Sequence, residues 1–428
     1  MPFATVLVAI AVGLAVGRLE APAFALAGLV VLGAALLLAV SGAPEAVLVV
    51  FLFSGSFKTV LPGFVDFTLL SAALTLVAML VVVRRSGWRP VPLSVWGFAV
   101  LAVVLFVGTI GSAAPTYGLD KATRFTTFGL LVVLLALNLL RDEGLLRRFA
   151  AALAAAGTIM AGAALLGAVA GGQGVRLTAL GSDTIALGRA AAIGFIAWLI
   201  LALWRAVGWP VAAAGMAVCA VGLIGSGSRA PLSGLVLAVC LVIAVRALGS
   251  GGKRGRAVVG LLVLVAAAAV ALSVAPQASL GRYAALLGGG PGENLGVRAG
   301  LYESAGAEFL DNPVVGVGTG GFAALGTGHP YPHNSVLELA SENGLVGVVI
   351  WIALVGLAFV RALPRMVRAP GLWSDVVAAG LVLGFVNAMF SSDLNGHRMF
   401  YVFIVLALAG PVTEEIRTPV APDHHPSS

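Results

Sequence analysis

Apolar runs close to the roughly 20 residues that carry a helix across a bilayer recur along nearly the whole chain. Reading them against the polar breaks gives spans near 22–40, 65–83, 95–110, 128–140, 150–170 and 185–204, then 209–225, 231–249, 257–275, 335–359, 372–390 and 397–411. Two further runs, 3–17 and 46–56, add either two spans or one re-entrant hairpin, so 12 to 14 helices are expected. Only helices and closed barrels satisfy their backbone inside lipid, and the short alternating segments of a barrel are absent from this sequence. Composition agrees: 60% of the 428 residues are hydrophobic and 10% charged, against about 45–50% and about 25% in soluble domains. A soluble globular protein, a disordered chain and a collagen-like one are thereby excluded, and the expected class is an all-α polytopic membrane protein. The first run reads as a retained helix rather than a secretory signal, because Arg18 follows it instead of preceding it.

A net charge of +7 would point to nucleic acid in a soluble chain, but in a membrane protein the side of the bilayer each basic residue occupies comes first. Alternate breaks hold Arg84, Arg85 and Arg89, then Arg141, Arg147 and Arg148, then Arg205, Arg246 and the Lys253 to Arg256 cluster, then Arg361, Arg365, Arg368 and Arg417. That set has fifteen of the 25 Lys and Arg; the other face has nine, with Arg18 unassigned. The richer face is expected to be cytoplasmic, with the C-terminal tail on that side. Cys219 and Cys240 both lie in apolar runs and indicate neither a disulfide nor a metal site.

The one long loop, 276–334, falls on the outer face and contains glycine clusters at 288–290 and 316–321 and an amphipathic helix expected from Val297 to Leu310. The chain thus divides into N-terminal membrane helices (1–275), an extracytoplasmic loop (276–334), C-terminal membrane helices (335–411) and a tail (412–428) expected to be disordered.

Several outer-face residues run against the positive-inside bias. Arg229 stands in Gly225-Ser226-Gly227-Ser228-Arg229-Ala230-Pro231; it reads either as a snorkelling side chain or as an anion ligand helped by neighbouring N–H groups and hydroxyls. Arg176, Arg298 and Arg189 extend the pattern. Arg189 lies inside an apolar run, where a charge is costly, so it faces either a cavity or a structural partner such as Asp183. Lys121 and Arg124, at the outer start of a span, fit helix anchoring as well as ligand binding. His333 opens a stretch in which Asn334, Glu338 and Glu342 recur at i, i+4 and i+8, one polar stripe on a helix. Carboxylates there are expected to face an aqueous or catalytic cavity, and an imidazole at its entrance suits a general base or an interfacial structural role. No metal-ligand spacing and no nucleophile elbow occur.

Three of these segments, in this order, resemble the O-antigen ligase and O-antigen polymerase family of bacterial envelope glycosyltransferases: the Ser228-Arg229 turn; Arg298 followed by Asn312-Pro313-Val314-Val315-Gly316-Val317-Gly318 and Gly321-Phe322; and His333-Asn334 with Leu337-Glu338 and Glu342-Asn343-Gly344-Leu345-Val346-Gly347. The resemblance implies a GT-C-like fold in the bacterial inner membrane and a preassembled glycan donor on undecaprenyl diphosphate. It implies transfer without metal or cofactor at the periplasmic face to a lipid-linked or glycan acceptor such as lipid A-core. By position, Arg229 and Arg298 match the family's diphosphate-binding arginines and His333 its catalytic histidine; Arg176 and Arg189 follow less closely. Fixed guanidinium groups can take up leaving-group charge in place of a cation, and direct attack predicts inversion. A polymerase of the same family differs only in acceptor, and a single long outer loop favours the ligase. An anion transporter or lipid flippase is the competing class, although no inverted repeat marks the sequence.

Overall fold

The computed structural model describes residues 43–57, 66–171, 176–179, 182–248, 253–274, 276, 279–281 and 293–412. The runs at 3–17 and 22–40, the 288–290 glycines and the tail beyond Val412 lie outside them. Among the described residues the chain is all helix and turn with no strand, and it is an all-α polytopic membrane protein. Its α-helices are α1 (Pro44–Phe53), α2 (Phe67–Ser86), α3 (Gly97–Gly108), α4 (Pro115–Arg124), α5 (Leu130–Leu139), α6 (Glu143–Gly171), α7 (Thr184–Leu203), α8 (Trp209–Ser226), α9 (Arg229–Leu248), α10 (Lys253–Val274), α11 (Glu293–Asp311), α12 (Ser335–Arg368), α13 (Leu372–Phe390) and α14 (Arg398–Ala409). Eight helical stretches within this set are long and apolar enough to cross a membrane, and four shorter apolar helices accompany them.

Three boundaries differ clearly from the reading of the sequence: α6 starts at Glu143 where 150 was expected, α12 runs to Arg368 where 359 was expected, and a third affects the site. The span expected at 128–140 starts at Pro115, because α4 runs through a π-helical turn at Phe125–Gly129 into α5. Lys121 and Arg124 therefore belong to the helix itself and not to its flank.

Without a hydrophobic drive between helices in lipid, close approach requires small residues. A Cβ on Gly157 of α6 would lie 2.7 Å from Gly194 Cα of α7, and one on Gly194 would lie 2.9 Å from Gly157 Cα. The outward faces stay apolar: Leu261, Leu262 and Val265 of α10 and Val349, Ile352 and Val360 of α12 are exposed, as a lipid-facing surface requires.

On the basic face, arginines end helices. Arg89 donates to the carbonyls of Ala409 (3.0 Å) and Gly410 (2.8 Å), Arg141 to those of Ser86 (2.9 Å) and Gly87, and Arg361 to that of Leu408 (2.6 Å). Each satisfies carbonyls left over at a helix C-terminus and complements its dipole. Arg246 is buried against Asp375, which also accepts a 2.7 Å bond from Trp204 Nε1.

On the opposite face, α11 covers the expected Val297–Leu310 helix and extends it at both ends. It packs through Leu301 and Ala305 on Phe322 of a short 3₁₀ turn, with Leu337 of α12 against the same cluster. The segment after α11 is threaded into a break in α12. There Gly344 takes φ 61° and ψ −155°, and Leu345 N and Val346 N bond to Pro313 O (2.8 Å) and Val314 O (3.4 Å). Val317 N reaches Ser341 O (2.9 Å), and Thr319 N reaches Gly108 O (3.0 Å). The glycine-rich 312–318 segment thus docks on the opened backbone of α12.

Candidate functional site

His333 occupies the last step before α12, at φ +60°. That left-handed conformation costs a non-glycine residue of order 1–3 kcal/mol unless its surroundings hold it. Asn334 fixes the step: its Oδ1 accepts from Val336 N (2.9 Å) and Leu337 N (3.0 Å) and caps α12. The rings of Tyr331 and His329 stand edge-on to the imidazole, with centroids at 4.7 and 5.6 Å. Its Nδ1 is buried without a hydrogen-bond partner in the protein. Burial, then the positive charges of Arg298 and His329, push the His333 pKa down to about 4; Asp393 opposes the shift and Arg189 adds to it. The imidazole is therefore neutral at pH 7. Burial raises the neighbouring Tyr331 hydroxyl above its ordinary value.

Arg229 is the first residue of α9, across a tight turn from α8. Gly227 ends α8 in the left-handed region at φ 63°. The turn is held by its own hydroxyls: Ser226 Oγ donates to Leu223 O (2.7 Å) and accepts from Ser228 N (3.1 Å), while Ser228 Oγ donates to Thr184 O (2.7 Å). These hydroxyls donate their protons inside the protein and brace the turn. Arg176 comes to the same place, its Nε donating to Ser226 O (2.8 Å), and Leu177 N bonds to Gly225 O (2.9 Å). A Cβ on Gly188 would lie 2.9 Å from Ser228 Cβ, so α7 abuts the turn one residue before Arg189.

Arg189 does not pair with Asp183. Asp183 caps α7, accepting from Ala186 N (2.6 Å), and Arg189 donates to Ser391 Oγ (2.6 Å), Ser391 O (3.1 Å) and Gly396 O (3.3 Å). It thereby ties α7 to the polar segment Ser391-Ser392-Asp393-Leu394-Asn395-Gly396-His397-Arg398 between α13 and α14.

The carboxylates of α12 turn inward and not toward open solvent. Glu338 and Glu342, each 1% exposed, hold Lys121 Nζ between them at 2.5 Å on either side. Glu338 also accepts from Leu394 N (3.1 Å), and Asn395 Nδ2 donates to Lys121 O (3.1 Å). One buried cation shared by two carboxylates joins α4, α12 and the 391–398 segment. Arg124, three residues from Lys121, is exposed and pairs with Asp120 at 2.8 Å.

The structure therefore gathers Arg298, Arg189 and His333 into one electrostatic neighbourhood and sets Arg176 beside the Arg229 turn. Lys121, Glu338 and Glu342 form a buried brace at the start of α12, and Arg124 is exposed and paired with Asp120. Two residues of that neighbourhood, Tyr331 and Asp393, were not singled out in the sequence. Both were visible, Tyr331 two residues before His333 and Asp393 in a dense polar break between two apolar helices.

No curated protein matches the chain. Residues 214–352 do match a family model, described as O-antigen ligase. That interval takes in the Arg229 turn, Arg298, the segment threaded into α12 and His333. The resemblance carried by those motifs is borne out: residues 214–352 of this membrane protein are similar to the O-antigen ligase family.

Proposed function

We propose that the protein is a ligase-type membrane glycosyltransferase that moves a preassembled glycan from undecaprenyl diphosphate to an acceptor hydroxyl, with inversion at the anomeric carbon. The observation that carries the reading is His333: a neutral, half-buried imidazole locked in a strained conformation beside Arg298 and Arg189, inside the family-matched interval. The acceptor oxygen attacks the anomeric carbon, the bond from that carbon to the diphosphate oxygen breaks, and the electron pair leaves with the diphosphate. The acceptor proton passes to His333. Negative charge growing on the leaving group meets the guanidinium groups of Arg229 and Arg298, with Arg176 and Arg189 behind them; in a low-dielectric site such fixed charge counts for far more than in water. An imidazole held near 4 is a weak base in the empty site, but a bound diphosphate adds negative charge and raises its basicity when the proton has to move.

Glu338, Glu342 and Lys121 act as positioning residues: they fix the start of α12, and so His333, against α4 and the 391–398 segment. Asn334 serves the same end as a cap, and the exposed Arg124 is available to substrate groups outside the brace. The working face is the periplasmic side of the bacterial inner membrane. A lipid A-core sugar is the ligase acceptor; a growing glycan would make the protein a polymerase.

Reconstitution with a purified undecaprenyl-diphosphate glycan and a candidate acceptor tests the reading. Loss of one oxyanion-type donor lowers rates by about 10²–10³ in other enzymes, so Arg229→Ala and His333→Ala are each expected to remove detectable product while membrane insertion stays normal. A single-addition product marks a ligase, a ladder marks a polymerase, and no covalent product from the wild type marks a transporter. Near-normal transfer by Arg229→Ala would overturn the assignment.

A further inference from the structure

A cavity of about 270 Å³ lies beside this neighbourhood, between α1, α7, α13 and α14. One end is polar, formed by Arg189, Arg398, His397, Asn387 and Ser392, at the ends of helices nearest His333. The other end is apolar, formed by Ile193, Leu383 and Phe403, at least one helical turn farther along the same helices, with Phe400 between the two ends. The cavity is thus amphipathic along the helix direction, with its charged end toward the face that carries His333.

The polar end is short of partners. Arg189 Nε, Arg398 Nη1, His397 Nε2 and Asn387 Oδ1 are all buried without a hydrogen bond in the protein, and His397 is only 3% exposed. Buried polar groups are rarely left so, and here four of them line one cavity. Neither arginine has a carboxylate within 4.0 Å among the described residues; Asp393 and Asp66 act on Arg398 only from farther away. Arg398 instead stands against the neighbouring rings of Phe51 and Phe128, its guanidinium carbon 5.3 and 5.7 Å from their centroids, a contact that does not neutralise it. Asp183 and Asp393 likewise act on Arg189 only from beyond ion-pair distance, and two buried cations lining one cavity without a directly paired carboxylate call for an anion. The apolar end calls for a hydrocarbon chain on the same molecule, and the volume suits one chain rather than two.

We propose that this cavity is a berth for the phosphate-bearing end of a single-chain isoprenoid lipid, with Arg398 and Arg189 on the phosphate and the first isoprene units against Ile193, Leu383, Phe400 and Phe403. The inference rests on the transferase reading for the isoprenoid character of the chain, and it adds a lipid-phosphate site apart from the Arg229 turn. Arg189 lines the cavity and also acts on His333, so the berth opens toward the reaction centre. A carrier lipid can wait there before transfer or withdraw there after it.

The test measures binding to the purified full chain in detergent, with no transfer step required. Farnesyl monophosphate is the probe; farnesol supplies the chain without charge, inorganic phosphate the charge without a chain, and dioleoylphosphatidylglycerol a two-chain lipid phosphate. Farnesyl phosphate is expected to bind more tightly than the other three. Arg398→Gln is expected to weaken it about tenfold, the size of one lost charge-assisted hydrogen bond, with farnesol binding unchanged, and Arg398→Lys is expected to recover most of the loss. Leu383→Trp, which fills the apolar end, should weaken farnesyl phosphate and farnesol alike. Melting temperatures of all variants separate lost binding from lost folding. Equal binding of phosphatidylglycerol, or farnesyl phosphate binding indifferent to both Arg398→Gln and Leu383→Trp, would overturn the proposal. Binding that behaves as expected in a protein that yields no glycan product would sink only the transferase reading.

Discussion

At the residue scale, the most informative side chain is His333, because its protonation is set by neighbours that can be removed one at a time. Burial and the charges of Arg298, His329 and Arg189 all disfavour the imidazolium, and Asp393 alone favours it. The neutral form is the reactive one in the proposed chemistry, and kcat/KM reports groups of the free enzyme. The acid limb of kcat/KM is therefore expected well below 6.5, close to pH 4. Replacing His329 with Asn removes a positive neighbour, raises the His333 pKa and moves the acid limb toward 6.5; a limb that stays in place means that another group sets it. The same shift acts on stability. Unfolded, the imidazole takes its proton near 6.5 and folded only near 4, so protonation favours the unfolded chain, and the contribution of His333 to the fold diminishes as pH falls through that window. The residue itself was legible in the sequence, as an imidazole at the mouth of a polar stripe. The stripe's direction was not. Lys121 is 217 residues away from Glu338 in the chain, and no local pattern reveals that a distant cation makes two membrane carboxylates tolerable.

At the element scale, the break in α12 explains why the 312–318 and 342–347 segments carry so many small residues. An uninterrupted helix would present no free backbone donors to Pro313 and Val314; the break at Gly344 supplies them. At φ 61°, ψ −155° this position lies in a region open essentially to glycine alone, and a Cβ there would meet the Val314 carbonyl and lie 2.6 Å from Val315 N. Gly344→Ala is thus expected to cost at least about 1–3 kcal/mol from the conformation alone, and displacing the 313–315 backbone from the break adds to that cost. The measurement is the melting temperature of the detergent-solubilised protein beside that of Gly356→Ala, a glycine of the same helix where a Cβ would meet nothing within 4 Å. Equal stability of Gly344→Ala and the wild type would show that the break is not needed to seat the segment. Apolar runs located the helices of the described residues, since a helix that crosses a bilayer must be apolar over most of its length, but they misplaced the start of α6 by seven residues and the end of α12 by nine. They missed the start of the α4–α5 span because Lys121 and Arg124 looked like flanking charges, when one is neutralised inside and the other lies at an exposed edge.

At the scale of the whole molecule, the distribution of Lys and Arg does two jobs that composition alone cannot separate. Arg89, Arg141 and Arg361 were read as topology signals, yet each also ties together helix ends on one face; Arg246 is taken up by Asp375. Both uses place positive charge at helix C-termini on a single face, where it complements the dipoles, and the positive-inside bias is the ground for proposing that this face is cytoplasmic. The opposite face keeps Arg176, Arg189, Arg229, Arg298 and Arg398, a density that the same bias disfavours unless anionic ligands compensate it. Orientation is therefore the premise on which the proposed chemistry stands, and it can be measured directly. In a background with Cys219 and Cys240 replaced by Ala, a cysteine introduced at exposed Ala324, near His333, is expected to react with a membrane-impermeant maleimide in intact spheroplasts. One introduced at exposed Arg368, at the far end of α12, is expected to react only after the membrane is permeabilised. The reverse pattern would turn the arginine-rich site toward the cytoplasm, where a donor displayed on the outer leaflet could not reach it, and the transfer mechanism would fail with it.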